Sequence, residues 1–251
     1  MARINRMCID VLLSFLQNNN DCYFLIGGHA VALQFERIKQ ESRTTKDFDI
    51  VLVTEANDSI FSEQLAKYIS SGGYKNKYKN EKKTAYRFEE PEKAGYPNEI
   101  EFFAEEGKFP QSLDNHLAKL NIEINEERIS AIVLNKEVYE FAKRHVEIVD
   151  GLPVVDIKGL IGLKALAYLE NKRLYDEGSV TSDKYKKHRK DLFGLVTILN
   201  DDSPISDAPE IIKERAKEFL PVLEAAKDLA KDYGVSIDNV VNLFKKLFDI
   251  Q

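Results

Sequence analysis

The chain of 251 residues contains no tryptophan, two methionines and only two cysteines, Cys8 and Cys22. Two thiols at that spacing give neither a disulfide framework nor a set of metal-ligating sulfurs, so both are expected as buried or idle thiols in a reducing cytosol. No apolar stretch approaches the roughly 20 residues that a membrane span requires. Arg3 and Arg6 precede Cys8, Ile9, Val11, Leu12, Leu13, Phe15 and Leu16 in the manner of a signal peptide, but Asp10 and Ser14 interrupt the run and no small-residue cleavage site follows. The apolar positions recur at helical spacing, so the segment reads as an amphipathic first helix, and the protein as cytoplasmic with no membrane partner. Positive charge is also scarce: 36 Lys and Arg face 42 Asp and Glu, a net charge of −6. That balance counts against a broad nucleic-acid footprint, which needs clustered cations. It leaves room for a local basic groove drawn from Lys75, Lys77, Lys79, Lys82 and Lys83, or from Lys184, Lys186, Lys187, Arg189 and Lys190. Either group alone is more often a solvated face.

What is present is the composition of a globular protein, 43% hydrophobic and 31% charged, long enough for one large domain or two modest ones. After the first helix, Tyr23-Phe24-Leu25-Ile26 reads as a buried strand. Gly27-Gly28 ends it, and the segment from His29 to Phe35 looks like the start of a helix. A second strand is expected over 48–53, a helix over 60–70 stopped by Ser71-Gly72-Gly73, strands over 84–89 and 98–103, and a strand-and-turn stretch over 146–155. From Asp156 onward the pattern becomes helical. Leu160, Leu163, Lys164, Ala167 and Tyr168 set one period and Leu192 to Leu199 another, while Pro204, Pro209 and Pro221 punctuate a third segment. Ser236 stands where the N-cap of a last amphipathic helix through Phe248 belongs. The fold class is therefore α/β over 1–150, followed by a helical C-terminal domain over 151–251.

Three segments share one chemistry. In the strand–Gly27-Gly28–helix unit, two glycines permit close approach of a ligand to backbone, and the N–H groups at a helix start favour an anion. The unit matches neither the Walker A loop nor the dinucleotide fingerprint. In Asp47-Phe48-Asp49, residues i and i+2 of a strand point to one face, so two carboxylates converge. Such a pair repels itself unless a cation intervenes, and Mg²⁺ takes one or two protein carboxylates and completes its shell with water and phosphate oxygens. In Asn98-Glu99-Ile100-Glu101-Phe102-Phe103, Glu99 and Glu101 share a strand face, and one of them could complete a triad and accept the proton of an attacking hydroxyl. Each segment also has a plainer reading: a structural turn, a solvated strand end, a wet edge strand. His29 is expected near the helix start rather than as a metal ligand, and His116, His145 and His188 show no partner arrangement.

Together, Leu25-Ile26-Gly27-Gly28-His29-Ala30-Val31 and Arg43-Thr44-Thr45-Lys46-Asp47-Phe48-Asp49-Ile50 resemble the nucleotidyltransferase superfamily of the DNA polymerase β type, and within it the branch around the AbiEii-like toxins. Leu160-Ile161-Gly162-Leu163-Lys164-Ala165-Leu166-Ala167 and His188-Arg189-Lys190-Asp191-Leu192 look like that branch's later lysine elements. The resemblance spans roughly residues 20 to 200 and departs from the pattern in a longer segment between Gly28 and Asp47 and in a glutamate as third acid. It implies a nucleotidyltransferase-type mixed sheet with helices over 1–150 and an enzyme moving NMP from an NTP to a hydroxyl of RNA, protein or a small molecule. Asp47, Asp49 and Glu101 would be the catalytic acids and the ligands of Mg²⁺ or Mn²⁺, with Glu99 the rival for the third place. Gly27, Gly28, His29, Lys164 and Lys190 would bind the nucleotide. It implies further a toxin role with a cognate antitoxin protein as partner, or, as the alternative, a catalytically silent protein of this fold that acts by binding a partner protein. The acids are expected to converge beside the Gly27-Gly28 turn.

Overall fold

The helical spacing of Cys8, Ile9, Leu12 and Leu16 puts all four on one buried stripe of α1 (Arg6–Leu16). Neither Cys8 nor Cys22 is joined in a disulfide. The apolar run Tyr23–Ile26 forms β1, and the chain turns at Gly27 straight into α2 (Gly27–Arg37). β2 (Asp47–Leu52) opens with half-buried acids and ends fully buried, and α3 (Ser59–Gly72) buries Phe61, Leu65, Tyr68 and Ile69. The computed structural model describes residues 6–53, 59–79, 82–107, 117–124 and 127–251. They divide into two compact units, the first of residues Met1–Tyr139 and Val146–Val155, the second of Glu140–His145 and Asp156–Gln251.

The first unit is built on a mixed sheet completed by β3 (Lys75–Lys79), β4 (Lys82–Glu89), β5 (Glu99–Glu105), β6 (Leu117–Ile124), β7 (Glu127–Leu134), β8 (Val146–Val149) and β9 (Leu152–Val155). Its order is β3-β4-β7-β5-β2-β1-β9-β8, with β6 paired to β7 and a further pairing of β4 with β5. β2 runs antiparallel to β1 and parallel to β5. β4 meets the N-terminal end of β5 antiparallel, while β7 pairs parallel with its C-terminal end. The α/β architecture with a mixed sheet is the one expected; β3, β6, β7 and the helix α4 (Lys136–Arg144) are elements that the sequence reading did not assign. Phe48, Ile50, Ile100 and Phe102 are completely buried between the acids that alternate with them. Each such side chain contributes roughly 1.5–3 kcal/mol of burial, and that burial fixes which face the acids occupy.

The second unit contains α5 (Ile157–Asp176), α6 (Ser182–Thr197), α7 (Glu210–Glu224), α8 (Lys227–Tyr233) and α9 (Ile237–Leu247). Leu160, Ile161, Ala165 and Tyr168 face the interior of this bundle, where Tyr168 meets Phe219 edge-on at 5.0 Å and Phe219 meets Phe244 at 6.1 Å. A Cβ on Gly162 would fall 2.9 Å from Ile212 and 3.2 Å from Phe141, so the glycine sets how closely α5 and α7 pack. One expectation is corrected. Pro221 does not interrupt α7, because it lies near the helix end, and Ala225 still donates to its carbonyl. Ser236 stands at the N-cap of α9 but makes no side-chain capping bond. No described helix is long and apolar enough to cross a membrane.

His145, for which the sequence shows no partner arrangement, is a second correction of substance. Its Nδ1 lies 3.0 Å from both carboxylate oxygens of Asp156, and its Nε2 lies 3.2 Å from Asp207. Asp156 in turn caps α5 by accepting from the Gly159 N–H at 2.7 Å, and Arg144 holds Asp207 at 2.9 Å. Burial alone would lower the pKa of His145, but the hydrogen bonds and charges of Asp156 and Asp207 outweigh it and raise the pKa. A histidine whose folded pKa is raised stabilises the fold below its unfolded value near 6.5, and that contribution is lost as pH rises through the folded pKa. Urea unfolding at pH 6 and pH 8.5 is therefore expected to show a contribution to the fall in midpoint that His145→Gln removes; equal pH dependence in both proteins would contradict this account.

Candidate functional site

The parallel register of β2 and β5 sets Asp47 beside Glu99 and Asp49 beside Glu101. Alternation along both strands sends all four side chains to one face, half-buried, while Phe48, Ile50, Ile100 and Phe102 fill the other. Burial pushes the Glu99 carboxyl up to about 7 against the opposing pull of Arg87, with the charges of Glu101 and Asp47 and a hydrogen bond with Glu89 adding to the rise. The row thus holds more negative charge than its surroundings comfortably solvate.

β4 supplies a residue that the sequence reading missed. Its register puts Arg87 opposite Glu101 and Glu89 opposite Glu99. Arg87 Nε donates to Glu101 Oε1 at 2.8 Å, and Nη2 pairs with the same oxygen. Nε lies 3.5 Å from Glu99 and Nη1 3.7 Å from Glu89. The alternation in Tyr86-Arg87-Phe88-Glu89, with Phe88 buried, was a signal that Arg87 and Glu89 share a face; only pairing with β5 reveals which face.

At the other side of β2, the register of β1 brings Ile26 opposite Asp49, so the following turn falls on the acids. Gly27 has φ +73°, and a Cβ there would lie 1.6 Å from Asp49 Oδ2. A Cβ on Gly28 would lie 2.4 Å from the Thr45 hydroxyl and 3.1 Å from Arg43 Nη2. The two glycines therefore make room for Asp49 on one side and for Thr45 and Arg43 on the other. The N-cap residue Ile26 makes no side-chain capping bond, and α2 begins beside a guanidinium and a hydroxyl, a setting suited to an anion. His29 is turned inward: it is 1% exposed, and its Nδ1 donates to the Asp47 carbonyl at 2.8 Å. Its ring meets Phe48 edge-on at 4.2 Å. Burial pushes its pKa down to about 4 despite that hydrogen bond, with the Arg43 charge adding to the fall, so the ring is neutral at pH 7. His29 anchors the start of β2, and any role of this residue toward a nucleotide falls to its backbone.

Lys164 and Lys190 belong to the second unit. Lys164 is buried and donates to Asp191 Oδ2 at 2.7 Å, while Lys190 is exposed on α6. His188 meets Asn171 at 3.5 Å, and His116 lies outside the described residues. Within the first basic group, Lys75 pairs with Glu90 at 2.7 Å; within the second, Arg189 pairs with Asp228 at 2.6 Å. A pocket of about 470 Å³ is lined by residues 90–96 and Asn98 in the loop between β4 and β5, and the Asn98 N–H joins that loop to Lys46 at 2.8 Å, one residue before each acid strand.

The register thus brings Asp47, Asp49, Glu99 and Glu101 together beside Gly27 and Gly28. Their carboxylates do not close into a cage: among the described residues no three His, Cys, Asp or Glu side chains are placed to hold a metal ion. The physical reason lies in Arg87, which draws Glu101 toward β4. Asp47 and Asp49 still offer the donor set of a hard divalent cation, which needs only one or two protein carboxylates.

Neither a protein-family model nor a curated protein sequence matches the chain. The solved structures similar to it include JHP933 from Helicobacter pylori and a protein from the same organism described as a "putative nucleotidyltransferase". Each is 13% identical with a TM-score of 0.42 over 98% of this chain, and the alignments cover 89% and 92% of those chains respectively.

Two substitutions probe these placements. Gly27→Ala combines a left-handed backbone with a collision at Asp49 and is expected to destabilise the protein by at least ~1–2 kcal/mol, measured by urea unfolding. Lys164→Met removes one partner of a buried pair and is expected to cost about 3–5 kcal/mol, much of which Lys164→Met/Asp191→Leu should recover. A Lys164→Met protein of unchanged stability would show that the ammonium is not part of the core.

Proposed function

We propose that this chain is a metal-dependent nucleotidyltransferase that moves NMP from an NTP to a hydroxyl acceptor. The observation that carries the proposal is the β2–β5 register, which sets Asp47 and Asp49 beside Glu99 and Glu101 on the face where the Gly27-Gly28 turn opens α2. Acids and a helix N-terminus side by side are what a cation-bound triphosphate requires: carboxylates for the cation, backbone N–H groups for the phosphates. Asp47 and Asp49 hold Mg²⁺ or Mn²⁺, while the backbone at Gly27 and Gly28, with Arg43 and Thr45 behind it, orients the phosphate oxygens. The bound ion supplies charge neutralisation at the phosphates and lowers the pKa of the acceptor hydroxyl. Glu99, beside Asp47 on the neighbouring strand, offers a carboxylate oxygen to receive that hydroxyl's proton. Glu101 becomes the third acid when Arg87 no longer holds it. The attacking oxygen forms the bond to the α-phosphorus as the bond to pyrophosphate breaks.

The engagement of Glu101 by Arg87 favours a second possibility, a silent protein of the same fold that acts by binding a partner protein. One experiment separates the two. α-Labelled NTP with Mg²⁺ and cell extract is expected to label an acceptor. Asp47→Asn/Asp49→Asn should lower that transfer at least about a hundredfold, since removing the metal forfeits several kcal/mol of transition-state stabilisation. Because the substitution relieves like-charge crowding, the urea midpoint of the metal-free double variant should be unchanged or higher. A loss of more than ~1 kcal/mol in unfolding free energy, with no labelling by the unsubstituted protein, would assign the two acids to structure instead.

A further inference from the structure

Arg87 is 25% exposed, and its guanidinium reaches Glu101, Glu99 and Glu89, the acids nearest it on β4 and β5. It sits on the strand that flanks the row, opposite Glu101 by register and bonded to it through two nitrogens. It acts on a metal in two ways. It occupies Oε1 of Glu101 and holds that carboxylate toward β4, and its positive charge, a few ångströms away, opposes the entry of a second divalent ion. A guanidinium is equally suited to phosphate, which it binds through the same planar fork.

We propose that Arg87 is a charge latch on the carboxylate row, a positioning residue that withholds Glu101 from metal until a phosphate of the incoming nucleotide takes the guanidinium instead. Metal binding at Glu101 is then coupled to nucleotide: the protein alone presents Asp47 and Asp49 to a cation, and the complete acid set forms only with the triphosphate in place. The latch rests on the nucleotidyltransferase reading for the identity of the anion and the ion, while the competition between Arg87 and a cation for Glu101 stands on geometry alone.

Mn²⁺ titration by calorimetry on the full chain tests it without recourse to activity. Without nucleotide, Glu101→Gln should change Mn²⁺ affinity less than about twofold, because the latched carboxylate does not contribute. Arg87→Met should bind Mn²⁺ about tenfold more tightly, Arg87→Lys should stay near the unsubstituted protein, and Arg87→Met/Glu101→Gln should lose the gain. With α,β-methylene-ATP present, Glu101→Gln alone should weaken Mn²⁺ binding about tenfold. An Arg87→Met protein with unchanged or weaker Mn²⁺ affinity overturns the latch. So does a Glu101→Gln protein already weakened tenfold without nucleotide, which decides the matter even if Arg87→Met fails to fold. Asp47→Asn/Asp49→Asn serves as the separate control: loss of Mn²⁺ binding there, beside an inert Arg87→Met, rejects the latch and leaves the metal site standing. Retention of Mn²⁺ binding by that double variant rejects both.

Discussion

Like charges forced onto one sheet face are the constraint around which the first unit is arranged. β2 and β5 run parallel and in register, so the two acids of one strand stand next to the two of the other. Neighbouring strands lie ~4.8 Å apart, and two unit charges at ~5 Å in an effective dielectric of ~20 repel by about 3 kcal/mol. That arrangement persists because the residues between the acids, Phe48, Ile50, Ile100 and Phe102, are wholly buried on the opposite face and hold the register against slippage. The core therefore bears the electrostatic cost of the site, and the elements beside β2 and β5 moderate it. β4 brings Arg87 to Glu101, and Glu99 responds by holding its proton to near neutrality.

The β1–α2 corner answers the same constraint by space rather than charge. Asp49 needs somewhere to put its carboxylate, and Gly27 provides it: the place of a side chain at that residue is filled by Asp49 Oδ2. The left-handed backbone at Gly27 then turns the chain into α2, which begins beside the same carboxylate. His29, one turn-step further, ties α2 back to the Asp47 carbonyl as a neutral ring. The acids, the glycines and the histidine are thus one mechanical unit, in which moving any member moves Asp47 or Asp49.

The helical unit solves a different problem in a related way. Lys164 and Asp191 carry opposite charges into an apolar bundle and are tolerable there only as a pair. Arg144, His145, Asp156 and Asp207 form a second charged group, at the chain's entry into α5, where Asp156 serves at once as helix cap and as partner of His145. Both groups join residues distant in sequence, and each fixes a helix end or a helix pair that apolar packing alone would leave free to rotate.

Period and punctuation in the sequence determined the local elements. Tyr23–Ile26, the helix after Gly27-Gly28, the alternating strands at Asp47 and Glu99 and the change to helical spacing at Asp156 are consequences of short-range stereochemistry, and they appear in the structure where the pattern puts them. The same alternation placed Asp47 with Asp49 and Glu99 with Glu101, since residues two apart on a strand share a face whatever the fold. What the sequence could not determine is which strand lies beside which, because that depends on burial summed over the whole sheet. Strand pairing put the two acid pairs together, brought Arg87 between Glu101 and Glu99, and left the acids bridged by a guanidinium rather than gathered around an ion position. It turned His29 inward, because Phe48 and the Asp47 carbonyl lie where α2 packs, and it gave His145 two carboxylate partners 11 and 62 residues away. Residue type and spacing carry the chemistry a segment can perform; only the tertiary contacts decide which charges meet, since a charge acts through distance in space and not along the chain.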